Sequence, residues 1–168
     1  MTGPMEAHDD ILSLYAEGPA RLEAAIQGLS GADLDLAPGP EAWSICAIVH
    51  HVADGDELWK PCIKAALGNP EGWFTLQWYW DKRQMEWSQR WHYASRPLET
   101  SLALLRANRH EILELLSLTP RAWEAAILLR ATDEPDERVT VGWVLDMQAR
   151  HVVTHCNRIQ AIRQAHGV

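Results

Sequence analysis

The chain has 168 residues, 47% of them hydrophobic and 23% charged, with a formal net charge of -8. That composition excludes a disordered chain and fits one domain with a buried core, taken here as 1–168. The acidic balance disfavours a nucleic-acid backbone or an anionic lipid surface as partner. Three cysteines, Cys46, Cys62 and Cys156, stand far apart and form no C-x-x-C pair, so neither a disulfide framework nor a zinc ribbon is indicated. No signal-peptide pattern opens the chain and no apolar run reaches the roughly 20 residues that span a bilayer. The expectation is a cytoplasmic protein with neither a membrane nor a nucleic-acid partner.

In chain order, residues 6–29 predict a helix with Ile11, Leu14, Tyr15, Gly18, Leu22, Ile26 and Leu29 on one stripe. Gly31, Pro38, Gly39 and Pro40 then mark a loop. A second helix is predicted over 44–67, capped by Ser44, with Ile45, Ile48, Val49, Val52, Trp59, Cys62, Ile63 and Ala66 as its apolar stripe. Pro61 lies inside it and is expected to kink or divide it. Next comes a segment that holds 8 of the 13 aromatic residues, between Trp73 and Tyr93. Its second half, 81–94, predicts a helix. A further helix spans 97–118, with Pro97 in its first turn and Leu98, Leu102, Leu105, Ile112 and Leu116 as its stripe. Ile127–Leu129 and Val139–Val141 flank a turn-rich run and predict a short hairpin. The last helix, 140–164, carries Val144, Gln148, His151, His155, Ile159 and Ile162 on one face. Four long amphipathic helices make an all-α four-helix bundle the expected fold, with a tryptophan-rich connection and a short hairpin before the last helix.

His151 and His155 are four residues apart on that last stripe, so their imidazoles share one inward face. Two imidazoles so placed can hold one metal ion, and a third ligand would complete an open site. On the second helix His51 shares its face with Ile48, Gly55 and Leu58. His50, about 100° away, is expected on a polar edge. His8, His92, His110 and His166 read as surface residues. Cys62 falls in an apolar stripe and Cys156 points away from His155, so neither reads as a nucleophile.

The run Trp43-Ser44 followed by His51-Val52-Ala53-Asp54, together with His151-Val-Val-Thr-His155 and Ile159, resembles the signatures of the DinB/YfiT superfamily. Trp143, shortly before the last motif, is similar to the aromatic that enters that helix in the family. Arg158 stands where the family often has Gln, Val52 replaces a common Leu, and the tryptophan-rich segment is unusual. The resemblance implies an up-down-down-up bundle and a divalent metal held by His51, His151 and His155. Zinc or nickel would be the first expectation, with iron or manganese also compatible. It also implies chemistry on a small-molecule substrate: hydrolysis, or S-transfer from a low-molecular-weight thiol. Asp54 and Glu57, three and six residues past His51, are candidates for a general base or a carboxylate behind a ligand. Trp78, Trp80 or Trp87 is expected to border the cavity above the metal. Aromatics also suit a homodimer contact, and rival readings are a non-catalytic binding bundle with a structural or vestigial metal, or an interaction module presenting the tryptophan face.

Overall fold

The computed structural model describes residues 4–168 and is a four-helix bundle with a small sheet at one end. The bundle helices are α1 (Pro4–Ile26), α3 (Ile45–Gly68), α6 (Leu98–Leu118) and α7 (Val141–His166). Short helices α2 (Gly31–Leu34), α4 (Gln77–Trp80) and α5 (Gln84–Arg90) lie in the connections, and a 3-10 turn, Ala122–Glu124, follows α6. Side-chain caps set two of the long starts. Ser44 accepts from the Ala47 N–H and Thr140 from the Trp143 N–H, each satisfying a helix donor that has no partner within the helix. Helix α7 ends at Gly167, whose φ of 73° is the left-handed turn that glycine takes without strain.

Helix α3 runs unbroken through Pro61, contrary to the expected kink or division. Proline removes the bond to the Glu57 carbonyl, and both residues sit on the exposed side. The predicted helix over 81–94 is only the seven residues of α5. His92, at φ 55°, turns the chain, and aromatic stacking rather than helix continuation organises the segment. Tyr79 stacks on Trp87 and Trp91, and the Trp87 indole N–H donates to the Tyr79 carbonyl at 2.8 Å. Pro97 stands at the N-cap position of α6, one residue before its first turn, and makes no capping hydrogen bond.

The hairpin is present as β2 (Ala126–Leu129) antiparallel to β3 (Glu137–Thr140), with Ile127 opposite Val139. A two-residue strand, β1 (Trp73–Phe74), pairs parallel with β2, so the tryptophan segment is anchored to the sheet. Among the described residues, no helix is long and apolar enough to cross a membrane.

Two apolar clusters form the core. One gathers Tyr15, Cys62, Ile63, Ile112, Ile127, Val144 and Leu145, and the other Leu22, Ile45, Val49, Val52, Leu105, Val152 and Ile159. The N-terminal half of α3 therefore packs with the C-terminal half of α7, and the two helices are antiparallel. Between the clusters runs a polar layer. Arg109 of α6, 1% exposed, forks onto both Asp56 oxygens of α3 at 2.9 Å and donates to the Tyr15 carbonyl of α1 at 2.7 Å and the Gln148 carbonyl of α7 at 3.0 Å. One guanidinium thus ties all four helices. Its entry requires Gly18, because a Cβ there would collide with Arg109 Nη1.

Candidate metal centre

His51 comes from the second turn of α3, and His151 and His155 from successive turns of α7. The antiparallel crossing of the two helices brings the three rings together. His151 Nε2 lies 3.0 Å from His51 Nε2 and 3.1 Å from His155 Nε2, and the three candidate ligand atoms all fall within 4.8 Å of one another. The rings meet edge to face, with centroids 4.5–4.9 Å apart. Close approach of the helices is possible because residue 55 is glycine. A Cβ there would stand 3.3 Å from His151 Cε1.

The environment keeps all three rings neutral. Burial lowers the His51 pKa to about 2, aided by the neighbouring His151 and His155 and by Arg158. Burial likewise lowers His151 to about 4, with Arg109 and Arg158 adding to it, and His155 to about 3, with His151 and Arg158 adding to it. A neutral imidazole presents a lone pair, which a ligand needs. Here the nitrogens are turned at each other, and His151 Nε2 faces two others at hydrogen-bond distance. One lone pair cannot take both neighbours' protons well, whereas a cation among the three nitrogens takes all three lone pairs. The buried Nδ1 atoms of His151 and His155 have no hydrogen-bond partner among the described residues. The donor set, three inward imidazoles and no thiolate or carboxylate, suits a divalent transition metal.

His50 is a correction to the expectation of a polar edge. It is fully buried, with Nδ1 2.8 Å from Ser101 Oγ and Nε2 3.1 Å from the Arg96 carbonyl. Both nitrogens are occupied, so the ring links α3 to α6 and offers no lone pair to the centre. His8 also departs from a plain surface residue and stacks on Trp123 at 4.1 Å. His92, His110 and His166 are exposed.

Asp54 and Glu57 make no hydrogen bond to any of the three histidines. Asp54 accepts from the Tyr93 hydroxyl at 2.6 Å and lies 3.5 Å from Arg96, while Glu57 is exposed. Both line a cavity of about 430 Å³ with Trp78, Trp91, Arg96 and Ser101. Trp78 therefore borders Asp54 and Glu57 rather than the histidine nitrogens. Trp80 is 38% exposed, and Trp87 is engaged with Tyr79 and Trp91. The tryptophan that does touch the histidines is Trp43, two residues before α3. Its ring lies 4.2 Å from His51 and 6.2 Å from His155. Trp43 also lines a larger cavity of about 740 Å³ with Ile48, Met85, Arg83, Arg158 and Ile162. Sequence reasoning used Trp43 only as part of a motif. Its position at the entry to the helix that carries His51 was the available signal. Cys62 is buried with its thiol pushed up to about 12, in keeping with an inert core residue.

Comparison with known proteins agrees with this architecture. The family model described as the DinB superfamily matches residues 14–159. YfiT from Bacillus subtilis, described as a probable metal-dependent hydrolase with an unusual four-helix bundle topology, superposes with a TM-score of 0.83. The two share 20% identity, and the match covers 99% of this chain and 91% of that chain, which shows a common fold. No curated protein matches.

Proposed function

This chain belongs to the DinB superfamily, and on that premise we propose that it is a metal-dependent enzyme acting on a small molecule, with His51, His151 and His155 holding one divalent ion. The observation that carries the reading is the convergence of three buried, neutral imidazole nitrogens contributed by two helices. Bound there, the ion would supply the Lewis acidity that brings the pKa of water or a thiol down toward neutrality. His51, His151 and His155 fix its place, and Gly55 leaves the room for His151. Trp43 covers one side of the pair His51 and His155 and keeps water from that face. Hydrolysis is the reaction in keeping with the description of YfiT. S-transfer from a low-molecular-weight thiol would use the same three imidazoles. Glu57, which makes no ion pair among the described residues, is the freer candidate base, since Asp54 is held by Tyr93 and Arg96.

The test is metal analysis of protein purified without an immobilised-metal column. About one equivalent of zinc, nickel, iron or manganese is expected in the wild type, and little in His51→Ala or His151→Ala. Wild-type metal content at background would end the reading. The metal-loaded protein is then assayed on ester, amide and electrophile panels with and without added thiols. Chelated protein should keep most of its helical circular dichroism, because both apolar clusters and the Arg109 layer lie outside the ligand set.

A further inference from the structure

The 740 Å³ cavity has the size of a small-molecule site. Most of its wall is apolar: Trp43, Ile48, Met85, Ala161 and Ile162. Ile48 and Arg158 lie three residues from His51 and from His155, and the antiparallel run of α3 and α7 displaces them toward the same end of the bundle. The cavity is thus the neighbour of the histidine cluster, with Trp43 as a wall common to both.

Its polar content is unusual for this protein. Among the described residues, every lysine and arginine reaches a carboxylate or a backbone carbonyl, with two exceptions. The exceptions are Arg83 and Arg158. They come from different elements, the N-cap position of α5 and the C-terminal half of α7, and both line this one cavity. In a chain of net charge -8, carboxylates to pair them are abundant, yet no carboxylate lines the cavity. Two unpaired guanidinium groups beside an apolar wall complement an anion with a hydrocarbon body. A cationic ligand would leave the charges without a partner, and a wholly polar one would leave the wall without one.

We propose that this cavity binds a small amphiphilic carboxylate, with Arg83 and Arg158 receiving the carboxylate and the Trp43–Met85–Ile162 wall receiving an aromatic or aliphatic body. The site names the substrate class of the centre proposed above and in that role rests on that reading, but the binding itself does not require the metal.

Binding is measured by titration calorimetry on chelator-treated protein, with 4-phenylbutyrate as probe and 4-phenylbutanamide as its uncharged analogue. The acid is expected to bind about tenfold or more tighter than the amide, the range of a charged hydrogen bond. Arg158→Gln and Arg83→Gln should each remove a large part of that preference, and the double variant should abolish it. Amide affinity, which reads the apolar wall and the fold, should stay unchanged in all three. Arg150→Gln, on an arginine already paired with Asp146, is the control that should change nothing. No binding of the acid, equal binding of acid and amide to the wild type, or a preference that survives the double substitution would overturn the proposal. His151→Ala separates the two readings. Retained, arginine-dependent binding in that variant supports the anion site even if the wild type proves free of metal. Binding lost in His151→Ala but kept in the arginine double variant would move the carboxylate onto the histidines and overturn it.

Discussion

Helix α3 carries two buried polar clusters, and they are built on opposite principles. On the α6 side, Arg109 meets Asp56, Tyr15 and Gln148, and His50 meets Ser101 and the Arg96 carbonyl, so nearly every charge and ring nitrogen has a partner. On the α7 side, His51, His151 and His155 face one another with their lone pairs converging, and two of the rings have no partner behind them. His50 and His51 are adjacent in sequence and both buried, yet both nitrogens of His50 meet Ser101 and the Arg96 carbonyl, whereas the hydrogen-bond neighbour of His51 is another imidazole. Burial alone therefore does not mark a functional histidine. The mark is a set of ring nitrogens that converge on one another instead of on other protein donors and acceptors.

The complete cluster should dominate stability. Arg109→Leu leaves the Asp56 carboxyl, 2% exposed, without its partner, and also frees the Tyr15 and Gln148 carbonyls. Breaking one side of such a pair costs about 3–5 kcal/mol. Urea denaturation should show a loss of that size. Burial already raises the Asp56 pKa against the opposing effect of Arg109, so without the arginine the carboxyl should take up a proton on folding. Asp56→Asn combined with Arg109→Leu should recover part of the loss. A marginal effect of Arg109→Leu would mean that the polar layer is not the tie between the helices.

His50→Ala should come next. It removes the ring's bonds to the half-buried Arg96 carbonyl and to Ser101 Oγ, which keeps the Arg96 guanidinium as a donor, and leaves a cavity in the core, at about 1–3 kcal/mol. Metal content should remain at the wild-type level. The mirror result is expected of His51→Ala, with metal lost and a smaller change in the stability of chelated protein. If His50→Ala removed metal as completely as His51→Ala does, the division between the two clusters would fail.

The incomplete cluster should reveal itself in acid. In the folded, metal-free protein, His51, His151 and His155 titrate at about 2, 4 and 3, against 6.5 for the free side chain. The unfolded chain therefore binds more protons below pH 6.5, and stability is full above that value. It falls as pH drops toward 4, by as much as about 1.4 kcal/mol per pH unit for each ring. His50, also lowered by burial, adds to this slope, whereas Asp56, raised by burial, opposes it at lower pH. Denaturant midpoints between pH 7 and 5 should drop in the wild type and drop less in His151→Ala. Equal slopes would show that the rings are hydrated or charged in the fold.

Most of the bundle was legible in the sequence because its helices show a clean apolar period and good caps. The histidine set was legible for the same reason: His151 and His155 interrupt a stripe otherwise made of Val144, Ile159 and Ile162. Arg109 carried the same kind of signal and was missed. The stripe Leu98, Leu102, Leu105, Ile112, Leu116 has a gap at the position that Arg109 fills, and a cation in a core stripe demands a buried carboxylate. The site of His50 was illegible because its partners, Ser101 and the Arg96 carbonyl, lie about fifty residues away and show no periodicity. The tryptophan segment resisted reading because its order comes from ring stacking and a two-residue strand, neither of which leaves a period.

The smallest expected effect is also the sharpest separation of the two clusters. Gly55→Ala adds one methyl group on the face of α3 that carries His51. Within a helix the change from glycine to alanine favours folding by about 1 kcal/mol. The new Cβ would stand 3.3 Å from His151 Cε1, so the ring must give way by a few tenths of an ångström. The methyl does not face Arg109, Asp56 or His50, so the complete cluster is left intact. Chelated Gly55→Ala should therefore be as stable as the wild type or slightly more so by urea titration. Its metal should be held about tenfold more weakly in competition with a chelating dye, because a displaced His151 Nε2 no longer converges with the other two. A variant that lost stability without losing metal affinity would place the steric conflict in the helix packing and not at the imidazole. A variant unchanged in both would show that His151 moves freely, and that the convergence of the three rings is not held by the approach of α3 to α7.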